Sequence, residues 1–214
     1  MLNISETGDD SMKYRMRELV DSITVGQIMS RVSYKEGEEV EAYKENVQVL
    51  VPSAISGGVI HIENLGSAVL KKSVSDERIT RKNDIVIKLS SPYYCALITE
   101  EEEGLIVPSF CALIRGVDKN FIDVRYLVGY LNSAYTTAKL VAGINSTAMA
   151  MVRGKSLAEL EVEAPVINEQ KVIGDAYWAS CQRKKLLEKM VKQQQQISDN
   201  IIIETLKEVI RHER

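Results

Sequence analysis

The C-terminal fifth of the chain carries apolar positions that repeat every seven residues. From Asn168 to about residue 212 there is no proline and a single glycine, and Asn168 is suited to cap the start of a helix. One series is Ile173, Ser180, Leu187, Gln194 and Ile201, and a second is Ala176, Arg183, Met190 and Ile197. This alternation predicts a coiled-coil helix roughly 65 Å long. A domain of this size cannot bury such a helix, so we expect it to project and to pair with another helix.

The repeat also predicts which residues make the pairing contact. Gln194 is a polar seam residue of the kind that fixes register at a cost in stability. The alternative is a surface helix that lies along its own domain. Charged residues and the glutamine run 193–196 occupy nearly every position outside the seam, which favours an exposed coiled coil. The predicted dimerisation residues are Ile173, Leu187, Met190, Gln194, Ile197 and Ile201.

Length and composition bound the rest of the molecule. The 214 residues suffice for one domain and an appendage, which we place as a tail and short helix over 1–21, a globular domain over 22–166 and the long helix over 167–214. No apolar run approaches the roughly 20 residues that cross a membrane, and the polar, acidic N-terminus does not resemble a signal peptide. The three cysteines lack CxxC spacing. Together these features predict a cytoplasmic protein with no membrane association.

Short β-rich runs separated by turn residues dominate the globular part. A short helix is predicted over 11–22, a longer one over 123–141, and a loop over 143–154. The sequence therefore predicts an α+β fold, a mainly antiparallel β-rich domain followed by the long coiled-coil helix. The predicted strands are 47–51, 59–62, 68–70, 84–89, 93–99, 105–107, 110–115 and 160–164.

The sequence offers little for catalysis. It contains two histidines, His61 and His212, so a histidine-based metal site or acid–base pair is hard to assemble. No phosphate-binding loop, dinucleotide motif or nucleophile elbow is present. The glutamates 100–103 are expected at a charged hairpin tip, since consecutive residues do not converge on one ion. We expect a non-catalytic protein with no cofactor or metal of its own.

The order of several segments resembles a known family. The run VLVPSAISGGVI (49–60) precedes RKNDIV (81–86), VPSFCALI (107–114) and YLVGYLNS (126–133), and LAELEVEAPVINEQ (157–170) leads into the long helix. Over about residues 22–200, this succession resembles the DNA-specificity (S) subunit of type I restriction–modification systems. The most specific segment is the junction Leu-x-x-Leu-x-Val-x-x-Pro-x-x-x-Glu-Gln that ends at Gln170.

The resemblance implies a function. In that family a target-recognition domain reads one half of a bipartite sequence in double-stranded DNA, and the following helix sets the distance to the other half. Family members usually carry two recognition domains and two helices, whereas this sequence has one of each. It therefore resembles a half-subunit that pairs with a second copy or with a different half-subunit. The resemblance also implies modification (methyltransferase) and restriction subunits as partners, which would bring S-adenosylmethionine, ATP and magnesium.

Within this interpretation the basic residues of the domain are candidates for DNA contact. Lysines would mostly meet phosphates, an arginine can reach guanine O6 and N7, and serine or threonine can contact either kind of base. The DNA-facing surface is positive if the glutamate run 100–103 points away from it. The predicted DNA-binding residues are Lys71, Lys72, Arg78, Arg81, Lys82, Ser146, Thr147, Arg153 and Lys155.

A second function class remains open. A coiled-coil scaffold or adaptor whose globular domain binds protein would fit the same composition. The two differ in salt dependence, because binding led by phosphate contacts weakens steeply as the salt concentration rises.

Overall fold

A computed structural model describes residues 11–35, 45–142 and 151–212, with side chains described up to residue 207. The chain divides into two compact units, Met1–Trp178 and Ala179–Arg214. In the part of the chain that is described, no helix is long and apolar enough to cross a membrane. The strands are β1 Met12–Arg15, β2 Val20–Val25, β3 Glu45–Val49, β4 Ile55–Ser56, β5 Val59–Ile60, β6 Gly66–Leu70, β7 Ile85–Lys88, β8 Cys95–Leu97, β9 Cys111–Val117 and β10 Glu161–Ala164. The helices are α1 Met16–Leu19, α2 Val124–Leu131, α3 Ala134–Ala142, α4 Gly154–Ala158 and α5 Ile167–His212.

A four-stranded antiparallel sheet in the order β2-β9-β7-β8 forms the centre of the first unit. Its register aligns the strand ends. The last residue of β2, Val25, lies opposite Ala112 near the start of β9, and the last residue of β7, Lys88, lies opposite Cys111. We call this the Val25 end of the sheet. The other end, where Val20 lies opposite Val117, is the Val20 end.

The sheet buries apolar side chains on both faces. Alternate residues of β7 and β9 belong to different clusters: Ile87 and Ile114 pack with α1, α2 and α4, whereas Val86 and Leu113 pack with the residues around β4 and β5. A third, smaller cluster joins the β3–β6 ribbon to Ile106. The predicted α+β class, with mainly antiparallel strands and a long C-terminal helix, is confirmed.

The predicted helix over 11–22 is wrong. Residues Met12–Arg15 form a strand that pairs antiparallel with β10, and only the single turn α1 is helical before β2 begins. Met16 and Leu19, two of the apolar residues whose spacing suggested a helix, are fully buried in the single turn α1. The strand partner is about 150 residues away in sequence, so local periodicity carries no signal of it.

The single helix predicted over 123–141 is two helices. Asn132 ends α2, and its side-chain amide donates to the Cys95 carbonyl oxygen while its Oδ1 accepts from the Cys95 amide, each at 3.0 Å. Ser133 Oγ then accepts a hydrogen bond from the Thr136 amide at 3.1 Å at the start of α3. The break therefore ties the helices to the edge strand β8.

Two further expectations change. Residues 105–107 form isolated bridges rather than a strand, with Ile106 bridged to Val49 and Ile79. Gly154 begins α4 instead of ending a loop, and residues 143–150 lie outside the described structure.

The start of α5 is fixed by one buried side chain, Gln170, which is 1 % exposed. Its Oε1 accepts from the Asp123 amide at 2.9 Å, and its Nε2 donates to the carbonyl oxygens of Phe121 at 3.1 Å and Pro165 at 2.7 Å. Asp123 in turn caps α2, accepting from the amides of Arg125 and Tyr126. One amide therefore joins the loop before α2, the end of β10 and the first turn of α5.

Two glycines let α5 approach α2 closely. A Cβ atom at Gly174 would lie 2.6 Å from the Tyr126 amide nitrogen, and one at Gly129 would lie 3.0 Å from the Tyr177 ring. Each glycine thus faces a larger residue of the other helix. The first three turns of α5 consequently belong to the globular unit.

The Gln170→Leu variant should test this junction. Leucine keeps much of the volume but leaves the Asp123 amide and two carbonyl groups without a partner, so we expect the free energy of unfolding to fall by roughly 2–4 kcal/mol. Urea unfolding of the full chain measures the change. The matched control is Gln195→Leu at an exposed position of α5, which should shift stability by less than about 0.5 kcal/mol. Equal effects of the two substitutions would contradict the assigned role of Gln170.

Candidate nucleic-acid interface

Arg78 lies at the Val25 end of the central sheet. It ends a short 3-10 turn, Asp76–Arg78, that packs beside β2. Its Nε points at the Val25 carbonyl oxygen at 3.4 Å. The Arg78 carbonyl accepts from the Val107 amide at 2.9 Å, which fixes the backbone of the turn. The guanidinium is therefore held at the end of β2.

Arg153 reaches the same place from a distant part of the chain. It immediately precedes α4, and a Cβ atom at Gly154 would lie 3.4 Å from Val25 Cγ2. The Val152 amide donates to the Leu89 carbonyl oxygen at 2.7 Å, just after β7. Arg153 and Lys155 are exposed and have no ion pair among the described residues. The fold thus places the Arg78 guanidinium at the Val25 carbonyl group and Gly154, which lies between Arg153 and Lys155, at the Val25 side chain, as the sequence alone could not show.

Ser146 and Thr147, the other predicted contacts on this side, lie outside the described residues. The chain resumes at Met151, next to the hydrogen bond between Val152 and Leu89.

Exposed apolar and aromatic side chains accompany these arginines. Val25 is 39 % exposed, Phe110 38 %, Tyr94 40 % and Met151 45 %. The Leu89 amide donates to the Phe110 carbonyl oxygen at 2.9 Å, so Phe110 and Met151 flank the same residue of the β7 end. Sequence reasoning missed Tyr94 and Phe110 because both lie in predicted strands, where the core is the usual location. Met151 lies in the predicted loop 143–154, and nothing in the sequence marked it as exposed beside Leu89.

Lys88 adds a cation on the other face of the sheet at this end. Its Nζ lies 5.4 Å from the centre of the Tyr94 ring, within range of a cation–π contact. Burial lowers the pKa of Lys88. We define the Val25-end surface as Val25, Arg78, Lys88, Tyr94, Phe110, Met151, Arg153 and Lys155.

Lys82 has a different environment, at the Val20 end of the sheet. Its Nζ is hydrogen-bonded to a carboxylate oxygen of Glu100, and its amide donates to Glu103 Oε1 at 2.7 Å. The hydrogen bond to Glu100 raises the pKa of Lys82, and the same bond lowers the pKa of Glu100. The glutamate run therefore lies against a residue predicted to bind DNA rather than away from it.

The glutamate run is also not a simple charged tip. It forms a short turn, Glu100–Glu102, in which Glu102 is 3 % exposed. The Glu102 carboxylate accepts from the Thr99 amide at 2.9 Å and caps the turn. Only part of the run faces solvent.

The remaining predicted cations are dispersed. An Arg81 guanidinium nitrogen lies 3.9 Å from Asp76 Oδ2, and Lys71 Nζ lies 5.8 Å from the centre of the Tyr34 ring. Lys72 is exposed after β6. The five cations between 71 and 82 thus occupy separate environments rather than one cluster.

Arg115 serves the fold instead of the surface. Its Nε and Nη2 donate to the two carboxylate oxygens of Asp84 at 2.9 and 2.7 Å, and Asp84 is 2 % exposed. The bond to Asp84 raises the pKa of Arg115. Asp84 also accepts from the Arg81 amide at 2.7 Å, so it fixes the turn that leads into β7.

Among the described residues, no three or more histidine, cysteine, aspartate or glutamate side chains lie close enough together to hold a metal ion.

The described part of the second unit, from Ala179, is the remainder of α5 up to His212. Its predicted seam residues are exposed in the single chain: Leu187 is 50 % exposed, Met190 55 %, Ile197 54 % and Ile201 61 %. Gln194 is exposed as well, and Ile173, in the first unit, is 49 % exposed. Leu186 and Val191 widen the apolar surface on either side of the seam.

The charges of α5 are separated along its length. Residues 183–192 contain Arg183, Lys184, Lys185, Lys189 and Lys192 against one acidic residue, Glu188. Residues 199–208 contain Asp199, Glu204 and Glu208 against one basic residue, Lys207. The uncharged run Gln193–Gln196 lies between these segments.

Comparison with known proteins places the fold. No protein-family model matches the chain, and no curated protein matches its sequence. Among solved structures, it resembles the HsdS subunit from Thermoanaerobacter tengcongensis with a TM-score of 0.59 and 15 % identity, covering 88 % of this chain and 46 % of that one. It also resembles a chain from a structure of the assembly and conformational transition of the type I R-M system, with a TM-score of 0.60, 16 % identity and coverage of 96 % and 50 %.

This chain spans about half the length of each of these chains. Because the similarity covers 88 % and 96 % of this chain, the fold expected from the sequence resemblance is confirmed. The chain shares the fold found in structures of type I restriction–modification specificity subunits.

Proposed function

We propose that this chain is a DNA-binding specificity subunit that reads one half of a bipartite site. The Val25-end surface is the observation that carries the proposal. Arginines from two distant segments converge there beside exposed aromatic and apolar side chains, whereas other cations of the domain are held by carboxylates. Arginine supplies both phosphate and guanine contacts, and apolar groups supply contacts to base edges. The likeness of fold to specificity subunits supports the same function.

Within this proposal the predicted DNA contacts differ in importance. Arg78, Arg153 and Lys155 make the main contacts, joined by Lys88. Ser146 and Thr147 lie outside the described residues and stay predicted contacts. Lys71 and Lys72 are peripheral, and Lys82 shares its position with the Glu100 carboxylate, which repels a phosphate there.

The exposed apolar surface of α5 supports pairing with a second helix. Several half-exposed aliphatic side chains on one helix surface are costly in water, and covering them would contribute roughly 25 cal/mol per Å² of apolar area. The proposed pairing residues are those of the predicted seam in the second unit, Leu187, Met190, Gln194, Ile197 and Ile201, whereas Ile173 lies in the first unit. We propose a homodimer, with pairing to a different half-subunit as the alternative.

The charge distribution of α5 favours antiparallel pairing of two copies. In a parallel pair the basic segment 183–192 would face its own copy, and like charges would repel. In an antiparallel pair centred on Gln195 and Gln196, it faces the acidic segment 199–208 of the partner. Such a dimer has two-fold symmetry, so the two domains would read inverted half-sites.

We further propose that the chain has no catalysis of its own and delivers modification and restriction subunits to DNA. This part of the proposal rests on the likeness of fold alone. A scaffold whose globular domain binds protein is the alternative, and the separation of free arginines from neutralised cations favours DNA.

The DNA-binding face is tested with two double variants. Each removes two positive charges, one variant at the Val25 end of the sheet and the other at the Val20 end. Arg78→Gln with Arg153→Gln should weaken binding and reduce the slope of log K against log salt by about 2, because two phosphate contacts are lost. The matched control, Arg81→Gln with Lys82→Gln, removes the same charge and should have a smaller effect. Titrating a labelled random-sequence duplex at several salt concentrations measures both. A larger effect in the control pair would move the interface to the Val20 end, and salt-independent binding would favour the scaffold.

Pairing through the seam is tested with aspartate substitutions in α5. Leu187→Asp with Ile197→Asp should dissociate the dimer without unfolding the domain, because charges would be buried in the seam. Gln182→Asp with Gln196→Asp places two aspartates at exposed, uncharged positions outside the seam and should preserve the dimer. Sedimentation of each full-length variant at micromolar concentration gives its mass. A monomeric unmodified chain would contradict homodimer formation.

Pairing direction is tested by a spin label at Lys184→Cys in a Cys181→Ser background. Labels in an antiparallel dimer centred on residues 195–196 should be about 35 Å apart, at about 1.5 Å per residue. In a parallel dimer they would lie within about 15 Å, on neighbouring helices whose axes are about 10 Å apart. Pulsed electron paramagnetic resonance measures the distance. A short distance would refute the antiparallel arrangement while leaving pairing intact.

A further inference from the structure

Arg115 lies on β9, yet its side chain bonds the segment that carries Arg78. Its Nη2 donates to the Ile79 carbonyl oxygen at 2.7 Å, and its Nη1 points at the Asp76 carbonyl oxygen at 3.4 Å. Asp76 begins the 3-10 turn that ends at Arg78, and Ile79 directly follows that turn. One guanidinium therefore contacts the backbone at both ends of the turn.

The Arg115 guanidinium is itself held by Asp84. Its Nε and Nη2 donate to the two oxygens of the buried Asp84 carboxylate, at 2.9 and 2.7 Å. A buried carboxylate needs such a partner, because a charge left unpaired away from water is strongly destabilising. The planar guanidinium has five donors in a fixed fork, so it can serve the carboxylate and the carbonyl groups together. A lysine carries the same charge on a single nitrogen and cannot reproduce that fork.

The position of the Arg78 side chain depends on the backbone of its turn. The Arg78 amide donates to the Ser75 carbonyl oxygen at 2.9 Å, and the Arg78 carbonyl oxygen accepts from the Val107 amide at 2.9 Å. The contact from Arg78 Nε to the Val25 carbonyl oxygen is longer, at 3.4 Å, and correspondingly weaker. A shift of the turn would therefore move the guanidinium away from the end of β2.

We propose that Arg115 is a positioning residue for DNA binding, which holds Arg78 at the Val25 end of the sheet without contacting DNA itself. This inference rests on the proposed DNA-binding function and deepens it, because it names a residue that acts through a contact residue. The Arg115 side chain is only 20 % exposed, and its donors are directed at groups of the protein. A contact residue that is already fixed in its bound position loses less conformational entropy on binding, which strengthens the complex.

A double-mutant cycle in the full chain tests positioning. Arg115→Lys keeps the charge but removes the fork of hydrogen bonds, and Arg78→Gln removes the proposed contact. Fluorescence anisotropy of a labelled random-sequence duplex at one salt concentration gives the dissociation constants. Arg115→Lys should weaken binding roughly threefold or more in the unmodified chain, and it should have little further effect once Arg78 is replaced.

The matched control is the same cycle with Arg153→Gln. A different connection supports Arg153, since the amide of the preceding residue, Val152, donates to the Leu89 carbonyl oxygen at 2.7 Å. Arg115→Lys should therefore weaken binding by the same factor whether or not Arg153 is replaced. A general loss of folded protein would instead act alike in both cycles, and urea unfolding of each variant gives the folded fraction.

The outcomes separate this inference from the proposed function. Coupling of Arg115 to Arg78 alone supports positioning. Additive effects in both cycles, or equal coupling in both, would overturn positioning while the DNA-binding function stands. If Arg78→Gln and Arg153→Gln each leave the affinity unchanged, the proposed DNA-binding face is wrong and this inference falls with it. Should Arg115→Lys fail to fold, Asp84→Asn keeps the shape but removes the charge that holds the guanidinium, and it must show the same coupling to Arg78.

Discussion

The side chain of Gln170 is the constraint on which the geometry of the globular unit depends. A buried amide with no partner is costly, and this one satisfies its acceptor and both donor positions with backbone groups from two other segments. It therefore specifies one position for the start of α5 relative to α2 and β10. Gly174 and Gly129 allow the close approach that follows. If α5 is a spacer, its first turns must be fixed rather than hinged, and this junction fixes them.

The sequence predicted the features that depend on neighbouring residues. The long C-terminal helix was predicted and is continuous from Ile167 to His212, although Asn168, the proposed cap, lies inside its first turn, because the amides of Glu169 and Gln170 already donate to Val166. The strongest segment of the family resemblance is explained in the structure, because Leu157, Leu160, Val162 and Gln170 are all buried at the junction. Gln170 and Asp84, in the motif Asp84-Ile85-Val86, each bond a distant segment, since Gln170 contacts the loop before α2 and Asp84 pairs with Arg115. The family resemblance therefore carries distant contacts that periodicity alone does not reveal.

Features that depend on distant partners were not predictable. The strand β1 exists because β10 is available to it, and the break between α2 and α3 exists because Asn132 meets Cys95. The same limit applied to the candidate site. Arg78 and Lys82 are four residues apart, yet the turn between them sends one to each end of the sheet. Counting basic residues along the sequence cannot distinguish a cation held by a carboxylate from one that is free for DNA.

The two ends of the central sheet differ in how much of their surface is buried, although the same strands form both. At the Val20 end, buried polar groups and closely packed glycines hold α2 and α5, and most substitutions there would disturb the fold. At the Val25 end, the candidate contact residues are exposed side chains on a backbone that is fixed by its own hydrogen bonds. Mutations can therefore accumulate at one end without cost at the other. If the Val25-end surface reads DNA as proposed, a lineage of such proteins can change its specificity by substitutions at a few surface positions while it inherits the helix junction unchanged.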